Sequence, residues 1–194
     1  MRLALFDFDG TLTNRDTMLA YCKHVRGPVR FWLGMVWLTP LFAGMFLKLV
    51  AKDRAKVIFL RHFLGGMQRA DLESAAASFA DLVDGWLRPG AAERLAWHRT
   101  EGHELSVVSA SLDLWLMPWM TRRSLRCICT AAEWEGDTFT GGISGPNCNY
   151  AEKVKRIQEA FDLASYEHIY AYGDSSGDRD MLAIATEPTF KPFR

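Results

Sequence analysis

Two aspartates set two residues apart, Asp7 and Asp9, follow directly on the apolar run Leu3-Ala4-Leu5-Phe6. A run that is apolar without alternation suits a strand covered on both faces, as in a parallel sheet. On extended backbone, side chains at i and i+2 point the same way, so both carboxylates can address one point beyond the strand end. Gly10 lets backbone come close to a ligand there, and Thr11 adds a hydroxyl. In open α/β sheets ligands bind at the carboxyl ends of the strands, which is where this acidic cluster falls.

Three further clusters occupy similar places. The stretch Leu105-Ser106-Val107-Val108-Ser109 follows Gly102 and a helical stretch over residues 91–100, reading as helix, turn, strand with Ser109 at the strand's end. A serine there also reads as an ordinary cap for the next helix. Glu152-Lys153-Val154-Lys155-Arg156-Ile157 opens an amphipathic helix after a loop at residues 145–150. A helical lysine by itself reads as a solvated charge. Finally, Ile169-Tyr170-Ala171-Tyr172-Gly173 forms a second short strand that ends in Gly173-Asp174, with Asp178 four residues on and Asp180 expected to face solvent.

Asp7-Phe8-Asp9-Gly10-Thr11-Leu12 matches DxDGT[LV] and Gly173-Asp174-Ser175-Ser176-Gly177-Asp178 matches GDxxxD. With Ser109 and Lys153 between them, the chain resembles the haloacid dehalogenase (HAD) superfamily, in its phosphoserine-phosphatase-like subfamily IB. The resemblance implies an α/β fold: a doubly wound, Rossmann-like parallel sheet core with a small α-helical cap inserted between the first two motifs. It also implies a mechanism. Asp7 would be the nucleophile, forming an aspartyl-phosphate, and Asp9 the general acid and base. Ser109, Lys153, Gly10 and Ala110 would hold the phosphate. Mg²⁺ would be held by Asp7, the Asp9 backbone carbonyl and Asp174, with Asp178 one step removed, holding a bound water or orienting Lys153. Lys153 fits the family's E-K-x-x-x-[IL] pattern better than Lys155. Ala110-Ser111 departs from the Gly-Gly of phosphoserine phosphatases, so phosphate contacts there are expected to differ.

The elements that must position these residues follow from length. About ninety residues separate Thr13 from Val107, far more than one crossover helix requires. The expected division is a core of residues 1–14 and 89–194 and a helical cap of residues 15–88. Helices are expected over 54–64 and 70–86, the latter with Leu72, Ala76, Phe79, Leu82, Val83 and Trp86 inward. The segment between motifs two and three is too short for a second cap. It holds strands joined by turns around Trp134-Glu135-Gly136-Asp137.

Residues 31–47, FWLGMVWLTPLFAGMFL, carry no charge. As one helix they would measure about 26 Å, against about 30 Å for a bilayer core. A single crossing would put Asp7 on the opposite side from Ser109, Lys153 and Asp174, and Pro40 between Gly34 and Gly44 suggests two short helices with a bend. Two roles remain: core of the cap, or an apolar surface for membrane or a lipid-like substrate. Lys23, Arg26, Arg30, Lys48, Lys52, Arg54, Lys56 and Arg61 flank the run against Asp53 alone, which favours a membrane. All-apolar helices are mostly core, and the cap-core role is the expectation.

With 194 residues, 23 Lys+Arg and 23 Asp+Glu, the neutral chain gives no support to nucleic-acid binding. Cys22, Cys127, Cys129 and Cys148 include no CxxC pair, which fits a reducing cytoplasm, and a secretory signal would remove Asp7. The expected function is a Mg²⁺-dependent phosphomonoesterase acting on a small phosphorylated metabolite of histidinol-phosphate or phosphoserine type. Asp16 and Arg61 are the candidate specificity residues. The alternatives are a lipid-phosphate (lysophosphatidate-type) phosphatase docking on membrane, a phosphotransferase, and a non-catalytic HAD-fold regulator, against which the intact motifs argue. The oligomeric state is left open.

Overall fold

The computed structural model describes residues 1–193. Six strands form one sheet in the order β4-β3-β2-β1-β5-β6: β1 (Arg2–Phe6), β2 (Glu104–Leu112), β3 (Arg126–Glu135), β4 (Thr138–Ser144), β5 (His168–Gly173) and β6 (Glu187–Phe190). All neighbours run parallel except β4, which returns antiparallel from β3 at the edge. Leu3, Ala4, Leu5 and Phe6 are fully buried, as a strand covered on both faces must be. Since β1 lies between β2 and β5, the chain order reverses across it, and the crevice beyond its carboxyl end is the natural ligand site of a doubly wound sheet.

Five α-helices lie between β1 and β2: α1 (Thr17–Trp37), α2 (Thr39–Phe46), α3 (Lys52–Leu64), α4 (Arg69–Asp84) and α5 (Pro89–Thr100), the last of which leads into β2. Both ends of this insertion return to one place. Thr13 bridges Leu87, Asn14 N–H donates to the Trp86 carbonyl at 2.9 Å and Arg88 N–H to that of Leu12 at 2.9 Å. The inserted helices share one apolar core with the sheet layer. Tyr21 of α1 stacks on Trp115 of α6 (Asp113–Arg122) with ring centres 5.2 Å apart, and its hydroxyl donates to the Leu72 carbonyl at 2.6 Å. Trp119 of α6 donates to Asp84 at 2.6 Å. Phe79, Ala76, Leu72 and Val83 of α4 point inward as expected, but Leu82 is 45% exposed. The remaining helices are α7 (Ala151–Ala160) and α8 (Arg179–Ala183).

The apolar segment bends between two helices as expected but departs from expectation in its burial. Helix α1 kinks at Gly27, whose φ of +72° only glycine adopts freely, and α2 begins at Thr39 after a bend of 52°. Pro40 sits in the first turn of α2, where its missing N–H costs nothing. Phe31, Gly34 and Leu38 face inward, but Val29, Trp32, Leu33, Val36 and Trp37 are between 57% and 72% exposed. No residue of α2 is fully buried. The expectation that this run is cap core therefore holds for one flank only. A helix that is apolar all round has a second apolar face, and among the described residues the fold leaves it largely exposed, although Trp37 stacks on His62 of α3 with ring centres 5.2 Å apart.

Candidate active site

Each motif reaches the site because a strand delivers it. Asp7 follows β1 directly, and Gly10 turns the chain with φ +85°. A Cβ at Gly10 would lie 2.6 Å from Asp174 Oδ2, so the absent side chain is what lets the two loops close on each other. Ser109 lies three residues before the end of β2, where the register against β3 shifts, so it sits at a bulge rather than at the strand's last residue. Asp174 follows β5, and Asp178 lies in the turn that leads to α8.

Lys153, one turn into α7, is 1% exposed and donates at 2.7 Å to each of three oxygens: Asp7 Oδ1, Asp178 Oδ1 and the Val108 carbonyl. Burial alone would lower its pKa, but the carboxylates of Asp7 and Asp178 outweigh it and hold the ammonium charged. Lys155 is exposed and pairs loosely with Glu159. Asp178 is saturated: its second oxygen accepts from the N–H groups of Asp174 and Ser175 and from the Ser175 hydroxyl. Burial works to raise its pKa, but Lys153 and these donors prevail and hold it low.

The two aspartates of the first motif stand in different surroundings. Burial pushes Asp7 up to about 6, with Lys153 pulling against it. Burial and the neighbouring Asp16 charge push Asp9 up to about 7, although Asp9 accepts from the Ser111 hydroxyl at 2.6 Å and from Thr17 N–H at 2.7 Å. Asp7 is thus mostly ionised near neutrality, whereas Asp9 is poised between its two forms. Asp7, Asp174 and Asp178 each bring an oxygen within 4.8 Å of the others. This all-oxygen, carboxylate-rich set fits Mg²⁺, a hard cation that takes oxygen ligands.

Asp7, Asp9, Lys153, Ser175 and Asp178 line a polar cavity of about 310 Å³ together with Asp16, Met18, Lys52, Asp53, Lys56, Ser109, Ala110, Ser111, Asn147 and Asn149, and Asp174 stands just outside that lining. The Ser109 hydroxyl accepts from Ser111 N–H at 3.0 Å, and Ala110 faces Lys56 and Thr130 through its carbonyl. Asp16 caps α1 by accepting from Leu19 N–H. Arg61 does not line the cavity. Its backbone lies against Gly141 of β4, where a Cβ would meet Arg61 Cα at 2.3 Å.

Helix α3 instead brings Lys52, Asp53 and Lys56 to the cavity, and Lys56, which the sequence offers only as one of eight flanking cations, is the one held against its wall. It donates to the Ala110 carbonyl and to Asn147 Oδ1, and burial pushes it down to about 8. Ser111, Asn147 and Asn149 carried no signal beyond the departure from Gly-Gly.

The haloacid dehalogenase-like hydrolase family matches residues 4–183, from within β1 to the end of α8. The chain belongs to this family. It is 37% identical to Protein CicA of Caulobacter vibrioides over 202 aligned positions, covering 99% of this chain and 86% of that protein. Among solved structures, a Bordetella pertussis Tohama I protein of unknown function superposes with a TM-score of 0.82 at 21% identity, covering 95% of this chain and 87% of that one. The phospho-aspartyl intermediate analogue of phosphoserine phosphatase gives a TM-score of 0.67 at 17% identity, covering 94% and 82%. The fold of this HAD hydrolase is therefore phosphoserine-phosphatase-like.

Proposed function

We propose that the chain is a Mg²⁺-dependent phosphomonoesterase working through an aspartyl-phosphate on Asp7. The observation that carries this reading is the convergence of Asp7, Asp9, Lys153, Ser109 and Asp178 on one cavity, with Lys153 bound to Asp7 and Asp178 at once. A Mg²⁺ ion held by Asp7, Asp174 and the Asp9 carbonyl would offset the repulsion between anionic nucleophile and anionic substrate. Asp7 attacks phosphorus in line while protonated Asp9 gives its proton to the leaving oxygen. The product alcohol departs and Asp9 is left as carboxylate. Asp9 then takes a proton from the water that attacks phosphorus, releasing phosphate and restoring Asp7. Lys153 and Ser109 stabilise the charge on the transferring group. Asp178 keeps Lys153 in place.

We assign residues 15–88 as the cap that supplies substrate selectivity. Asp16 and Asp53 face the cavity from its side, as do Lys52 and Lys56. This favours a small phosphorylated metabolite bearing an amine, of histidinol-phosphate type. A phosphoserine carboxylate would have to meet Lys56 in place of an arginine. Free cysteines at all four positions fit a cytoplasmic setting.

Hydrolysis of a generic aryl phosphate, abolished by EDTA and restored by Mg²⁺, tests the reaction. A panel of phosphorylated metabolites including histidinol phosphate, phosphoserine and lysophosphatidate tests the selectivity. No hydrolysis of any member by the Mg²⁺-loaded protein would favour a regulator instead.

A further inference from the structure

We propose that the outward faces of α1 and α2 form an interfacial anchor that seats this protein on an anionic lipid bilayer. Val29, Trp32, Leu33, Val36 and Trp37 recur at helical spacing, so they form one continuous stripe, and all are exposed. Phe46, Leu47 and Leu49 extend it beyond the bend at 86%, 63% and 78% exposure. Large apolar patches of this kind mark interaction surfaces. Helix α2 sharpens the point. An eight-residue helix is marginal in water, and this one buries none of its residues fully in the fold.

Charge decides the occupant. From Thr17 to Lys52 the chain has no acidic residue, while Lys23, Arg26, Arg30, Lys48 and Lys52 border the apolar run on both sides. Lys23 sits over the Trp32 ring at 5.7 Å, a cation beside an amphipathic ring, as suits the headgroup level. A second copy of this chain would bring the same positive fringe against its own, whereas a bilayer containing anionic lipid complements it.

The geometry specifies lying on the membrane, not crossing it. No single helix among the described residues is long and apolar enough to cross, and the insertion that holds the bent pair leaves the sheet and returns to it at the Thr13–Leu87 bridge. Insertion of one apolar face to about 5–10 Å is the ordinary depth for such helices. The catalytic cleft then sits beside the bilayer, because Asp16 lines both that cleft and a shallow groove formed with Leu19, Phe31, Trp32 and Met35.

The test is co-sedimentation of the full chain with vesicles of phosphatidylcholine alone or mixed with phosphatidylglycerol. Pelleting is expected with the mixed vesicles, weakening as salt rises, with a blue shift of tryptophan emission. The double variant Leu33→Asp/Val36→Asp should lose roughly tenfold or more in partitioning while aryl-phosphate hydrolysis stays at the parent level. Arg30→Glu/Lys48→Glu should lose the preference for anionic vesicles, and it keeps the proposal testable if the first variant fails to fold. A parent chain that stays in the supernatant overturns the proposal. So does a dimer that Leu33→Asp/Val36→Asp dissociates without any vesicle binding, which would assign the face to a second copy. Because hydrolysis is read separately, failure of the anchor and failure of the phosphatase reading give different results.

Discussion

The hydroxyl of Ser111 donates to Asp9 Oδ2 at 2.6 Å, joining the bulge of β2 to the second aspartate of the first motif. This bond favours the charged form of Asp9, against burial and the Asp16 charge, which favour the neutral form. In Ser111→Ala the Asp9 pKa should rise above about 7. In the proposed reaction leaving-group protonation requires protonated Asp9, so the alkaline fall in rate should move to higher pH, by about half a unit to one unit. A pH–rate profile for a substrate whose first step limits would check it, and an unmoved limb would separate this limb from Asp9.

Asp7→Asn should cut turnover by roughly four orders of magnitude and abolish acid-stable phosphoenzyme, with the circular dichroism spectrum unchanged. Asparagine keeps the shape and an acceptor for Lys153. Turnover within tenfold of the parent would place the nucleophile elsewhere.

Asp174 and Asp178 should separate cleanly. Asp174→Ala should raise the Mg²⁺ concentration needed for half-maximal rate by about tenfold or more. Asp178→Ala removes one of two carboxylates from a buried ammonium and four hydrogen bonds from its own oxygens, and should cost about 3–5 kcal/mol of stability. Metal titration beside denaturant unfolding distinguishes them, and the reverse ranking would exchange the two roles.

How far the site could be read in advance depended on the element that carries each residue. Asp7, Asp9 and Asp174 follow buried strands, whose period of two and terminal glycines leave one place for them to point. Lys153 was separable from Lys155 only through the resemblance, whose E-K-x-x-x-[IL] pattern it fits; helix geometry says that two residues about 200° apart cannot both face the sheet, but not which one does. Helix α3 offered no such purchase. Lys56 and Arg61 are five residues, and so about 140°, apart around its axis, and basic residues on both faces hid which one enters the cavity. The outward stripe of α1 escaped for a related reason. Its inner residues Phe31, Gly34 and Leu38 and its outer residues Val29, Leu33 and Val36 are alike in character, and composition does not say which side the protein covers.

Lys56→Gln should raise KM for the preferred substrate by about tenfold and leave kcat within twofold, since its contacts are to Ala110 and Asn147 at the cavity wall rather than to Asp7. A fall in kcat at unchanged KM would move Lys56 into the chemical step.

His98 is fully buried between His103 and Tyr172, and burial pushes its pKa down to about 3. The unfolded chain takes up this proton near pH 6.5 and the folded chain does not. Its contribution to stability is therefore complete above about pH 6.5 and is lost as pH falls toward 3, by about 2 kcal/mol between pH 7 and 5. Denaturant unfolding of the parent and of His98→Gln at both values should show a flatter acid dependence in the variant.

The three bonds of Lys153 have a consequence for how the molecule tolerates change. One ammonium is tied to the segment after β1, to the backbone of β2 and to the turn after β5, three stretches brought together only when the sheet is complete. It therefore acts as a gauge of alignment for the central strands. A core substitution that slides β2 or β5 by a fraction of an ångström, too little to melt the sheet, would still detune Asp7, the proposed nucleophile. Activity should thus register damage to the scaffold earlier than any melting curve does.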